Sequence, residues 1–261
     1  MMQSATKNTQ QKELFKKILI PTDFSEASWQ AIEHALTIAK AGQTRLIFAH
    51  ILDAPPINPA IIPDRYIKEL QAERIKMVQQ KLQEYADYCE SEAHANILHK
   101  SMVMPGRAAS KILQMAQMEN VDLIILGSAG ASRLMESVSL EVIDKAECPI
   151  LSIPQRTKSQ PFTRLIFLPR STNQSEETLN YLKQVCASYQ LSLNISAPAV
   201  GSAKNLLPLH TVGPEALAAI MLDHDPATRV LQKKWIQTLI RDEHMPLFVF
   251  QCKSHLNNES Q

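Results

Sequence analysis

Apolar residues along the chain keep changing rhythm between short solid runs and spaced positions. Lys17-Ile18-Leu19-Ile20-Pro21 is brief, apolar at its centre and closed by proline, which predicts a buried strand. Ser25 then caps a helix whose Ala27, Ala31, Ala35, Leu36, Ile38 and Ala39 fall on one face. Leu46–Leu52 predicts a second buried strand, followed by a stretch holding Pro55, Pro56, Pro59 and Pro63. A long helix is expected from Asp64 to Glu92, with Leu70, Met77, Val78, Leu82, Tyr85 and Cys89 inward. The remaining expectations are a strand at Ile97–Met104, a helix at Ala108–Glu119 and a strand at Val121–Leu126. A helix at Ser137–Ala146 and a strand at Pro149–Ile153 close the series.

Strands that alternate with helices need crossover connections, so the pattern predicts an α/β fold with a mostly parallel sheet covered on both faces. Residues 16–154 form one such domain after a loose tail at 1–15, and 155–162 reads as a linker. Residues 163–253 echo the first domain in shortened form, ahead of a tail at 254–261. Leu165-Ile166-Phe167-Leu168-Pro169 mirrors the first strand, Ser175–Ser188 the first helix and Leu191–Ile195 the second strand. Ala218–Leu222 matches the fourth strand, Lys233–Asp242 the last helix and Met245–Phe250 the last strand, with residues 196–216 replacing the shrunken middle.

In their order and spacing, four segments resemble the universal stress protein family: Pro21-Thr22-Asp23-Phe24-Ser25, Phe48-Ala49-His50-Ile51, Val121–Gly130 and Ala146–Leu151. The resemblance covers nearly all of the first domain and only the layout of the second, giving a tandem of two Rossmann-like domains with a degenerate second copy. It implies strand order 3-2-1-4-5 in the first domain, with a topological switch point between the first and fourth strands, where open α/β sheets bind ligands. It further implies an adenine nucleotide, ATP or AMP, as ligand. Pro21, Thr22, Asp23, Ile51, Leu126, Gly127, Gly130, Ser137 and Val138 are the candidate contacts. Asp23 suits accepting from a ribose or assisting a metal, Ile51 offers a wall for a purine, and Gly127 and Gly130 let backbone N–H groups approach phosphate. Asp23 as a plain helix cap and Gly127 as a plain turn residue are the structural alternatives. In family dimers the last strands of two domains pair; here Ile150–Ile153 and Leu247–Phe250 are set to pair within one chain, and a homodimer of whole chains is a further option the resemblance offers.

Composition changes this picture at one place. The chain of 261 residues has six glycines, where average usage gives roughly 18. ATP-binding members of the family carry Gly-x-x-Gly, nine residues, then Gly-Ser or Gly-Thr. Here Glu136 stands before Ser137-Val138, and only five residues, Ala131 to Met135, separate it from Gly130. A carboxylate there repels phosphate by about 1–4 kcal/mol, so the nucleotide site is expected to be weakened or lost. In the second half Ser171 takes the Asp23 position, and Asp223-His224-Asp225-Pro226 replaces Gly127–Gly130; two acids and a proline make no anion nest. Asp223–Asp225 reads as a turn ahead of Pro226, not a metal site.

A net charge of +1 argues against a nucleic-acid partner. No apolar run nears the ~20 residues of a membrane span, and Met1–Lys7 lacks a signal-peptide core, so a cytoplasmic location is expected. Cys89, Cys148, Cys186 and Cys252 form no C-x-x-C pair and read as buried small hydrophobes. His50 reads as a satisfied core histidine. With no acid–base dyad, activated nucleophile or Walker lysine, the expectation is a non-enzymatic stress-response protein. A pure interaction module is the alternative, and a weak ATPase the third reading.

Overall fold

A computed structural model describes residues 14–39, 43–53, 64–92, 97–128, 133–157, 160–169, 174–196, 213, 215–222, 226–241 and 245–251. The elements run β1 Lys17–Pro21, α1 Glu26–Ile38, β2 Arg45–Leu52, α2 Asp64–Glu92, β3 Leu98–Pro105, α3 Ala108–Glu119, β4 Leu123–Ser128, α4 Arg133–Lys145 and β5 Ile150–Pro154. They continue as β6 Arg164–Phe167, α5 Glu176–Tyr189, β7 Ser192–Ile195, β8 Ala216–Met221, α6 Pro226–Arg241 and β9 Leu247–Phe250. Gly130, Ser171, Asp223–Asp225, Cys252 and residues 197–212, all given roles above, lie outside the described residues.

The strands form one nine-stranded sheet in the order β3-β2-β1-β4-β5-β9-β8-β6-β7. The first five strands are parallel in the order 3-2-1-4-5. The last four are parallel to one another. Between them β5 and β9 pair antiparallel, with Ile150 opposite Val249 and Leu151 opposite Phe248. The carboxyl ends of the two sets of strands therefore open at opposite ends of the sheet.

Period-two alternation sends Ile18, Ile20, Phe48, Leu123, Ile125, Leu151, Phe167 and Phe248 to one face, where α1, α2 and α5 cover them. Leu19, Ile47, Ala49, Ile124, Leu126, Ile150, Ile166 and Val249 point to the other face, under α3, α4 and α6. Burial on both faces is why the strands read as solid apolar runs. Cys89 and Cys186 sit in the first of these cores, and burial pushes the Cys89 thiol up to about 12.

Four expectations need correcting. The helix placed at Ser137–Ala146 begins a turn earlier, at Arg133; Arg133, Leu134, Met135 and Glu136 are good helix formers. The helix placed at Lys233 begins at Pro226, a residue suited to the first helical position. The fourth strand starts at Leu123, not Val121. The Val121 N–H closes the end of α3 on Ala116 O, and Asp122 accepts from the Lys16 and Lys17 N–H groups at 2.9 Å. Finally, Leu70 and Met77 do not face inward; they are 46% and 62% exposed. The helix spans 29 residues, about 44 Å, against about 26 Å for the eight-residue strands beneath it, so its first turns overhang the sheet.

The glycine shortage also leaves a mark on helix ends. Asn120 after α3 and Gln190 after α5 adopt left-handed conformations, φ 49° and 55°, that glycine normally takes. For the unbranched but Cβ-bearing Gln190 this costs about 1–2 kcal/mol. Gln190→Gly is expected to stabilise the chain by about 1 kcal/mol after its own entropy loss, measured as a rise of about 2–4 °C in Tm.

Candidate functional site

The switch point lies between β1 and β4, which are paired neighbours although β2 and β3 intervene in the chain. Beyond β1 the chain turns sharply into α1. Thr22 N–H donates to Ala49 O at 2.8 Å, and the Thr22 hydroxyl accepts from Phe24 N–H at 2.9 Å. Phe24 takes φ 66°, a strained value for a non-glycine residue. Its ring is held over His50 at 4.7 Å, with Tyr85 at 5.7 Å and the Lys81 ammonium 5.0 Å from the ring centre. His50 Nδ1 lies 2.7 Å from Thr22 O. A carbonyl only accepts, so His50 carries its proton on Nδ1 and serves as a brace for this turn.

Asp23 is tied into this turn. Its Oδ1 accepts from the Ser28 hydroxyl at 2.6 Å and from Ser25 N–H at 3.0 Å, while its own N–H donates to Ser28 Oγ at 3.2 Å. Ser25 in turn caps α1 by accepting from Ser28 N–H. Partial burial pushes the Asp23 carboxyl upward, but the hydrogen bonds from Ser25 and Ser28 outweigh it, and the group sits below the usual range. The bonds from Ser25 N–H and the Ser28 hydroxyl land on the same oxygen, Oδ1. Ser28, Phe24, His50 and Tyr85 were absent from the candidates above; the Ser25-x-x-Ser28 spacing is the signal that points to the first of them.

Gly127 has a definite physical task. It lies inside β4, and a Cβ built on it would stand 2.2 Å from Ala27 O and 2.6 Å from Ser28 N. The missing side chain admits the α1 backbone onto the strand. Gly127 therefore faces α1, and alternation sends Leu126 and Ser128 to the opposite face, toward α3 and α4. Pro21 is buried, Leu126 belongs to the core there, and Ile51, Met104 and Val138 form its half-open margin. The Ser128 hydroxyl, in a residue 3% exposed, has no hydrogen-bond partner among the described residues. Ser137 is exposed, in the second turn of α4, and Glu136 is that helix's fourth residue.

The segment after β5 closes over this end of the sheet. Gln155 N–H donates to Ser128 O at 3.2 Å, and its side-chain amide donates to Glu26 in the first turn of α1 at 2.6 Å. A separate cleft of about 690 Å³ opens at the far end of the sheet, lined by Asp122, Glu147, Glu176 and Glu177. Its acidic walls oppose any phosphate. Among the described residues no three His, Cys, Asp or Glu side chains group as metal ligands, and no helix is long and apolar enough to cross a membrane.

With this geometry in view, the likenesses to known proteins fall into place. A universal stress protein of Methanocaldococcus jannaschii is 31% identical over 151 residues, 56% of this chain and 85% of that one. A universal stress protein of Bacillus subtilis is 29% identical over 150 residues, 54% of this chain and 99% of that one. The crystal structure of a universal stress protein from Archaeoglobus fulgidus covers 91% of this chain and 97% of its own, with TM-score 0.63 and 17% identity, a likeness of fold. A profile of the universal stress protein family matches residues 14–154, the segment holding β1 to β5, and on that match the chain belongs to the universal stress protein family.

Proposed function

We propose that this stress-response protein is a non-catalytic sensor that keeps a nucleoside grip at the switch point while its grip on phosphate has weakened. The observation that carries the reading is the buried Ser128 hydroxyl at the tip of β4, without a hydrogen-bond partner among the described residues and on the same face as the apolar margin of Ile51, Met104 and Val138. Buried hydroxyls normally have partners, so one left over at a strand's carboxyl end suits a polar ligand. In the turn after the neighbouring strand, Asp23 would offer Oδ2 to a ribose hydroxyl, with Ser25 N–H and the Ser28 hydroxyl both on Oδ1. Pro21 and Thr22 set this carboxylate's position, and Leu126 floors the purine slot.

The phosphate side is poorer. Gly127 gives its vacant Cβ position to α1 rather than to a ligand. Glu136, the fourth residue of α4, brings a negative charge to the segment where ATP-binding members of the family carry glycine. Gly130, Ser137 and Val138 complete the segment from which remaining contacts would come. We assign the second half as a shortened copy of the first, without a nucleotide site. Ser175 capping α5 at Thr178 repeats Ser25 capping α1 at Ser28, and its strands keep the same order with one missing. The antiparallel β5–β9 junction then replaces a dimer contact inside one chain, which also suits the interaction-module reading.

Calorimetry with adenosine and AMP tests the sensor. The expected Kd is on the order of 0.1–1 mM, about −4 to −5.5 kcal/mol. Asp23→Ala should weaken both by about tenfold, the worth of a hydrogen bond to a charged group. No heat at millimolar ligand would leave the interaction module as the reading, and ATP turnover above background that disappears in Asp23→Ala would restore the ATPase.

A further inference from the structure

We propose a second ligand site, for a small amphiphile with an alkyl chain and a carboxylate head, in the groove beneath the overhanging half of α2. The groove encloses about 310 Å³ at the carboxyl ends of β2 and β3, within the size range of small-molecule sites. It lies on the α2 face of the sheet, whereas the nucleotide crevice lies on the α3 and α4 face, so the two are independent.

Its origin is the length mismatch already described. The residues of α2 that are buried in the core begin at Val78 and continue through Leu82, Tyr85, Ala86 and Cys89. The preceding turns project past the strand ends, leaving apolar side chains of helix and strands facing each other across a gap. Leu52 and Val103 supply the floor, Ile75 the helix wall and Pro105 the far lip. All four are aliphatic. With no aromatic ring among the described lining residues, a base has little to hold it there, while an alkyl chain gains from each buried methylene.

The polar groups set the head group. Arg74 lines the groove, and among the described residues it makes a 3.4 Å hydrogen bond from Nη1 to the Asp53 backbone carbonyl. A guanidinium meets a carboxylate through two parallel N–H donors, which that long single bond leaves available. Gln71 offers a further amide. The Asp53 carboxylate belongs to the same lining and opposes an anion, so the site is predicted to be tuned down by its own acid.

Titration of the full chain with sodium decanoate and octanoate, below their micelle concentrations, tests the assignment by calorimetry and by amide NMR shifts. Saturable one-to-one binding is expected, about 15-fold tighter for decanoate, at roughly fourfold per methylene. Arg74→Gln should weaken decanoate by about tenfold and leave decanol unchanged, while Asp53→Asn should tighten decanoate several-fold. Saturating AMP should alter none of these values, which separates this site from the nucleotide crevice. Equal binding of decylammonium, indifference to both substitutions, or loss of decanoate to AMP overturns the proposal. So does a groove filled by a second copy of the chain, seen as concentration-dependent mass with no decanoate binding.

Discussion

Gly127→Ala is expected to destabilise the protein by about 3 kcal/mol, a fall in Tm of about 6–12 °C. At an ordinary strand or turn the same change is mild, and where the backbone tolerates it the alanine stabilises by about 0.4–1 kcal/mol. Here the new methyl would stand 2.2 Å from the Ala27 carbonyl oxygen and 2.3 Å from its carbon, and both are backbone atoms. No side chain can swing aside; α1 must lift away from β4. Lifting it also pulls on the Asp23, Ser25 and Ser28 network, since Ser28 belongs to the turn being displaced. Denaturant unfolding measures the loss. A glycine used only for phosphate contact would show the opposite pattern, weaker ligand binding with stability unchanged.

Phe248→Ala is expected to cost about 3–5 kcal/mol and to loosen the junction between the two halves of the sheet. Phe248 is 2% exposed and sits opposite Leu151 across the antiparallel seam. Its ring meets Phe15 at 6.2 Å and Phe250 at 5.6 Å, so truncation empties a space walled by both halves. Thermal unfolding of the variant should broaden or split into two transitions, because the seam is where the parallel sets are joined. Tyr66→Ala on the exposed face of α2 is the control, expected to change stability by no more than about 0.5 kcal/mol. Equal effects of the two substitutions would contradict a continuous sheet stabilised through its seam.

Most of the layering was legible in the chain itself, for a physical reason. Strands buried on both faces must be apolar throughout, and such runs as Ile18–Ile20 and Leu123–Leu126 declare themselves without neighbours. Helix starts were harder. Pro226 reads as a breaker until its place at the first helical turn is known, and motif matching at Ser137 hid the helix-forming Arg133–Glu136. Leu70 and Met77 obey the helical period yet are exposed, because periodicity records a face and not whether a sheet extends beneath it.

The turn that builds the candidate site was only partly legible. Asp23 stood out by position, but its hydrogen bonding depends on Ser28, five residues away, whose role only the turn into α1 creates. Gly127 was open between a turn role and a phosphate contact, and it lies inside β4 with α1 packed against it. Sequence shows that a side chain is missing; only packing shows that Ala27 fills the space. His50 and Thr22 are similar, since a 2.7 Å bond between residues 28 apart follows from the parallel pairing of β1 and β2.

The central claim, that the nucleoside grip is kept while the phosphate grip is reduced, is tested most directly by the ratio of ATP to AMP affinity on the same preparation. Two added phosphates meeting a competent anion nest would contribute charge-assisted hydrogen bonds of about 1.5–3 kcal/mol each. The account predicts calorimetric dissociation constants for ATP and AMP within about threefold of each other, a difference under about 0.7 kcal/mol. ATP binding 30-fold or more tighter than AMP, about 2 kcal/mol, would contradict it and would mean that the phosphate loop remains intact.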